Sequence, residues 1–224
     1  MQPKFKMTRE QNLFVARKYI SDYVYGLAKL EGIHVTFPQT DAIVNHGIVD
    51  KGLKIEDAIK INNLKRAWQF LLTTSDRATD FDYLCRINMI VGADGSIDGA
   101  GKIRAYDVRI SGTKWQPQLP FEFDVRNEMV NILQIESPTE RSITLMLWAK
   151  RRQVFMDGNK RTALIIANKE MIENGCGIIS VSEENIFKYR DLLVEFYETN
   201  NMEKIKKFVY ENCIDGIAFN SNSN

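Results

Sequence analysis

The sequence predicts an all-α fold, a helical bundle carrying one small β-hairpin flap and an N-terminal helical extension, and three observations carry that prediction. Apolar residues recur at three- and four-residue intervals through most of the 224 residues, the spacing of a buried helix face. Helix start and stop signals bracket these stretches, most clearly at Ser137-Pro138-Thr139-Glu140. There a serine N-cap, a proline at the first helical position and a glutamate three residues after the serine form a capping-box pattern. Residues of β type gather at Ile103 to Ile110, directly after a glycine-rich run.

The elements follow in order. Leu13, Phe14, Ala16, Ile20, Val24, Leu27 and Leu30 mark a helix from Thr8 to Leu30, with Thr8 as N-cap and Glu31-Gly32 as its end. Pro38 marks a turn, and a short apolar piece around Ala42-Ile43-Val44 leads to Gly47 and Gly52. Ile55 to Leu72 reads as a long second helix and Tyr83 to Val91 as a third, closed by Gly92. Gly92, Gly95, Gly99 and Gly101 with Asp94 and Asp98 mark a loop. A calcium-loop reading of that stretch fails, because Ala105 stands where the closing glutamate would be. Ile103 to Ile110 then reads as a hairpin or flap, ended by Pro117 and Pro120. Further helices are predicted from Val125 to Leu133, from Ser137 to about Arg151, from Asp157 or Gly158 to Asn174-Gly175, from about Glu183 to Asn200, and from Met202 to Val209. The tail Asn220 to Asn224 is too polar to pack and is expected to fray.

Composition narrows the function classes. With 44% hydrophobic and 26% charged residues, the chain can bury one core, so one domain with embellishments is expected. Thirty basic against twenty-nine acidic residues leave a formal charge of +1, which gives no general attraction for nucleic acid or an anionic membrane. The N-terminus lacks the apolar run of a signal peptide, and no segment approaches the ~20 apolar residues that span a bilayer, so a cytoplasmic protein is expected. Cys85, Cys176 and Cys213 are odd in number and widely spaced, which favours reduced thiols over disulfides or zinc. His34 and His46 are the two histidines, too few for a histidine-built metal cluster.

The chemistry concentrates in Arg152-Gln153-Val154-Phe155-Met156-Asp157-Gly158-Asn159-Lys160-Arg161-Thr162-Ala163, a polar cluster between two apolar helical patterns. A helix N-terminus has unpaired N–H groups and a partial positive charge, so Gly158, Asn159, Lys160 and Arg161 in a first turn would form an anion nest. Glycine lets a phosphate approach, Arg161 can fork onto its oxygens, and Lys160 adds a movable charge. Asp157 is placed to hold a magnesium ion bridging the same phosphates. Phe155 reads as a core anchor for the loop.

These residues resemble the signature of the Fic/Doc (fido) family, HxFx(D/E)GN(G/K)R. Phe155, Asp157, Gly158, Asn159, Lys160 and Arg161 match it in order and spacing. Gly101-Lys102-Ile103-Arg104 through Val108-Arg109-Ile110-Ser111-Gly112 is similar to the family's flap, and Leu30-Glu31-Gly32-Ile33 to the N-terminal segment of its longer members. The resemblance covers most of residues 25 to 200. It implies a fido-fold bundle with an N-terminal helical extension over residues 1–50, the Fic domain over 51–200, and a C-terminal helix with a disordered tail over 201–224. It also implies binding of ATP with Mg²⁺, transfer of AMP to a hydroxyl of a target protein, and docking of that target on Arg104, Val108, Arg109 and Ile110 of the flap as an added strand.

The departures are as informative. The family's general-base histidine falls at Gln153, and an amide cannot take a proton from the target hydroxyl near neutral pH. Base catalysis is typically worth ~10²–10⁴-fold, whereas positioning and charge neutralisation supply most of a phosphoryl transfer. Losing the base is therefore expected to cripple transfer more than nucleotide binding. His34 is expected to make an ordinary hydrogen bond rather than replace the base. Glu31 stands where the resemblance places an inhibitory glutamate, yet Leu27 and Leu164 replace its usual Ser/Thr and second arginine, so a plain charged residue at a helix end is the simpler expectation. Two alternatives stay open: a non-catalytic nucleotide- and protein-binding module, and a Doc-like phosphotransferase, toward which the Asn159-Lys160-Arg161-Thr162-Ala163 wording leans.

Overall fold

The computed structural model describes residues 1–219; the expectation for the tail beyond Phe219 lies outside them. The fold is built around a hairpin of two long helices, α7 (Pro138–Arg152) and α8 (Asn159–Glu173), whose connection carries the polar cluster. Every residue of α8 from Arg161 to Ile172 is buried, so this helix is the axis of the core. Around it pack α1 (Arg9–Lys18), α4 (Ile55–Thr74) and α5 (Phe81–Val91). The helix α2 (Ile20–Leu30) lies on α4, α6 (Glu122–Leu133) lies on α7, and α9 (Ile186–Thr199) and α10 (Glu203–Asn212) close the C-terminal side. One hydrophobic cluster runs from Leu13 and Val24 through Trp68, Leu84 and Ile166 to Phe196 and Val209. Among the described residues no helix is long and apolar enough to cross a membrane.

Most boundaries follow from local chemistry. Thr8 caps α1 in a full capping box with Gln11, and Asp80 caps α5 through Tyr83 N–H. Ser137 accepts from Glu140 N–H, but the predicted capping box stays half closed. The Glu140 carboxylate turns instead to Lys206 at 3.3 Å and the Met1 ammonium at 3.2 Å. The helix expected from Thr8 to Leu30 is interrupted at Tyr19 (φ −110°, ψ 25°), which divides it into α1 and α2. Pro38, expected at a turn, enters a short helix α3 (Phe37–Asp41) capped by Thr36, which runs on as one π-helical turn, Ala42–His46.

The β content departs from expectation. Residues 103–110 form no strand; among the described residues the strands are β1 (Ile178–Ile179) and β2 (Ile214–Asp215), paired antiparallel. The reason is visible at Arg104. It is 3% exposed and donates to the carbonyls of Tyr106, Pro117 and Gln118 at 2.6–3.2 Å. A guanidinium therefore joins the two arms of the loop where strand hydrogen bonds would otherwise do so.

Candidate functional site

The connection between α7 and α8 is held open in a defined shape. Gln153 ends α7 in the left-handed region at φ 50°, and Gly158 opens α8 at φ 77°. Between them Val154 and Phe155 are 1% and 2% exposed, so the loop is pinned to the core as its apolar residues require. Asn159 closes the turn from inside. Its Oδ1 accepts from Phe155 N–H at 2.9 Å, and its Nδ2 donates to Phe155 O at 2.7 Å and to Gln153 Oε1 at 3.1 Å. The Gln153 Nε2 donates to Lys150 O at 2.6 Å, so both ends of the amide are engaged inside the loop. Arg104 braces the outside, donating from Nε to Gln153 O at 2.7 Å while its N–H donates to Val154 O at 3.0 Å.

Asn88 on α5 supplies the remaining support and escaped the sequence reading. It is fully buried, donates to Asp157 O at 3.0 Å and Thr162 Oγ1 at 3.1 Å, and accepts from Gly101 N–H at 2.8 Å. A signal was present, since Asn88 shares the apolar face of Leu84, Ile87 and Val91, where a polar group needs a partner. A side chain at Gly158 would put Cβ 2.8 Å from Ile97 Cδ1 and 3.0 Å from Asn88 Nδ2. Gly158→Ala is therefore expected to cost about 1–3 kcal/mol in denaturant unfolding, the range for strain at a position that excludes Cβ; an unchanged midpoint would show that the loop yields.

No side chain caps α8, so the first-turn amides of Asn159, Lys160 and Arg161 stay open at the helix end. The electrostatics centre on Arg161, whose side chain is 7% exposed. Its Nη2 donates to Asp157 Oδ2 at 3.0 Å, and the other oxygen of that carboxylate accepts from Gly158 N–H at 2.6 Å. Glu31, at the end of α2, reaches the same cations. One carboxylate oxygen is 3.7 Å from Lys160 Nζ and the other 3.7 Å from Arg161 Nε, while Glu31 is 11% exposed and Lys160 43%. At an effective dielectric of about 20 each attraction is on the order of 4 kcal/mol before desolvation. Glu31 thus pairs with both cations of the first turn of α8, with leucines at positions 27 and 164.

The predicted site residues separate by position. Gln153, Asp157, Gly158, Asn159, Lys160, Arg161 and Glu31 come together, with Asn159 acting through its side chain as a clamp of the loop. Arg104 is withdrawn from the surface, and its guanidinium braces the loop. Arg109 is exposed and Val108 and Ile110 are half-buried on the unpaired stretch. His34 is exposed at the turn after α2. Among the described residues no three His, Cys, Asp or Glu groups gather as a metal cage.

Comparison of the folded chain with solved structures matches Fic-1 from C. elegans at a TM-score of 0.73 and 23% identity over 87% of this chain and 59% of that one. A Fic domain containing signaling protein from Bacteroides thetaiotaomicron matches at 0.74 and 16% identity, covering 92% and 85%. The chain has the Fic fold. Its sequence is also 28% identical over 163 residues to the protein adenylyltransferase fic-1 of Caenorhabditis briggsae, covering 68% of this chain and 32% of that protein, and the C. elegans protein of the same name is 26% identical over the same length. These likenesses support the Fic-domain family for this chain, which spans about a third of the length of the curated relatives it matches. No protein-family model matches the sequence.

Proposed function

We propose that this chain binds ATP with Mg²⁺ at Asp157 to Arg161 and is a Fic-type adenylyltransferase scaffold whose transfer of AMP to a protein hydroxyl is slow. The observation that carries the reading is the start of α8, where a left-handed Gly158 and first-turn amides without a side-chain cap adjoin the Lys160 and Arg161 cations, which share the Glu31 carboxylate. That is the chemistry of a phosphate cradle. Asp157 fits a magnesium ion carried in on the phosphates: it is a single carboxylate, 68% exposed, and Mg²⁺ commonly takes one or two carboxylates and fills its remaining positions with phosphate and water. When bound, the ion would neutralise phosphate charge.

In AMP transfer the target hydroxyl oxygen attacks the α-phosphorus, pyrophosphate leaves, and the hydroxyl proton must go to a base. Gln153 cannot receive it, and Glu31 competes with the phosphates for Lys160 and Arg161. The target would lie along the unpaired stretch that holds Val108, Arg109 and Ile110, pairing through main-chain groups. A cytoplasmic location belongs to the same proposal, in keeping with three free cysteines. A second reading, a nucleotide-dependent binding module without transfer, is favoured by the Gln153 amide, which is turned into the loop at both ends.

Calorimetry with Mg-ATP tests the cradle. Arg161→Ala is expected to weaken binding about 10- to 100-fold, from the ~1.5–3 kcal/mol of a charged hydrogen bond; equal affinity would remove Arg161 from the site. Labelled ATP offered with a cell extract separates the activities. Label from the α-phosphate on protein means AMP transfer, label from the γ-phosphate means phosphorylation, and the absence of both supports the binding module.

A further inference from the structure

The return arm of the flap, residues 113–118, is held by groups on other elements. Near the end of α9 the Glu198 carboxylate accepts from the Thr113 hydroxyl and from Lys114 N–H, the latter at 2.7 Å, and Trp115 N–H donates to Thr113 Oγ1 at 3.0 Å. The Trp115 ring stacks on Tyr197 with 6.0 Å between centroids, and the Arg151 guanidinium lies 4.1 Å from its centre. Arg104 joins the carbonyls of Pro117 and Gln118 to that of Gln153, so the arm stands one guanidinium away from the loop between α7 and α8. A segment without strand pairing is thereby made into a fixed platform.

Against this arm lies a hollow of about 530 Å³, bordered by Arg109, Ile110, Ser111, Lys114 and Trp115 among others. Its charge is of one sign. The Arg109 and Lys114 side chains are exposed and make no ion pair or hydrogen bond among the described residues, and no carboxylate borders the hollow. The Glu198 carboxylate is taken up by the arm's own hydroxyl and N–H. Asp124 and Glu128 border a separate hollow that shares only Trp115 and Gln116 with this one, and Glu128 is already held by Arg152 and Trp148. Two uncompensated cations on a fixed support attract and orient an anionic partner.

We propose that Arg109 and Lys114 form a docking surface for an acidic segment of the target protein. The inference rests on the reading of the flap as the target's docking edge and adds to it the charge that selects the target. Such a segment needs two local cations and the free main chain of the unpaired stretch from Val108 to Ile110. A single-stranded nucleic acid, the other polyanion, would use open aromatic faces for stacking. The Trp115 ring that borders the hollow is instead engaged by Tyr197 and Arg151, and the formal charge of +1 gives no general attraction for a nucleic acid backbone.

Fluorescence anisotropy on the full chain tests this with two labelled peptides, one of alternating glutamate and serine and one of alternating lysine and serine. The glutamate peptide is expected to bind and the lysine peptide not to, and the affinity should fall as salt is raised through the physiological range. Arg109→Glu combined with Lys114→Glu is expected to weaken the glutamate peptide about tenfold or more, since like charges then face each other. Circular dichroism checks that this variant is folded; if it is not, Arg109→Gln with Lys114→Gln replaces it, with an expected loss of about threefold or more from two exposed charge pairs. Equal binding of both peptides, no binding of the glutamate peptide, or an affinity untouched by the substitutions overturns the inference. So does tighter binding of a uridine oligonucleotide that the same substitutions abolish, which would assign the surface to nucleic acid. Mg-ATP calorimetry on the same samples keeps the two readings apart. Failure of the peptide with Mg-ATP still bound sinks the inference alone, and failure of Mg-ATP with the peptide still bound sinks the nucleotide reading and leaves the docking surface.

Discussion

Replacing Gln153 with histidine is expected to raise AMP transfer by about 10²- to 10⁴-fold, the usual worth of a positioned general base. The backbone there should accept the change. Gln153 sits at φ 50°, a region in which histidine is among the better tolerated side chains, and its carbonyl is fixed by Arg104 whatever the side chain. The substitution gives up the amide's bonds to Lys150 O and from Asn159. Asn159 nevertheless keeps both of its bonds to Phe155, so the turn retains its clamp. Because Glu31 would still cover Lys160 and Arg161, the rise should be larger when Gln153→His is combined with Glu31→Gln. Initial rates with α-labelled ATP and one purified target, once such a target is in hand, measure it. A rate unchanged in both backgrounds would mean that the loop does not present residue 153 to the hydroxyl, and the binding-module reading would stand.

Asn88→Leu is expected to destabilise the protein by about 3 kcal/mol or more, since a buried polar group that loses its partner costs ~1–3 kcal/mol and three groups lose theirs. Those groups are Asp157 O, Thr162 Oγ1 and Gly101 N–H. They belong to three different segments, so the effect should reach beyond stability to Mg-ATP affinity, with the start of α8 and the glycine loop loosened together. Denaturant unfolding and calorimetry on the same variant read the two effects. A loss below about 1 kcal/mol, the scale of one ordinary hydrogen bond, would show that Phe155 and Arg104 hold the loop unaided.

Much of the fold was legible because helix boundaries are written locally. Thr8, Ser137 and the Asn174-Gly175 stop act within one turn of chain, and the apolar period names the buried face without knowledge of what covers it. The strand expected at the flap is absent for the converse reason. Ile103 to Ile110 has strand-forming residues, but a strand needs a partner, and Arg104 binds carbonyls on the other arm of its own loop instead. Lys150 and Asn88 were each visible as polar residues on apolar faces, yet nothing within a helical turn says what such a group will meet.

By itself the sequence determined that the chain is helical, that one polar loop joins two buried helices, and that this loop carries a glycine, an amide, a carboxylate and two cations within a few residues. Only the tertiary structure decided what those cations face. Glu31 and Arg161 are far apart in the chain and meet because α2 and α8 both pack against α4. Charge pairing across a core depends on distances set by the packing of many side chains, and those distances have no local code.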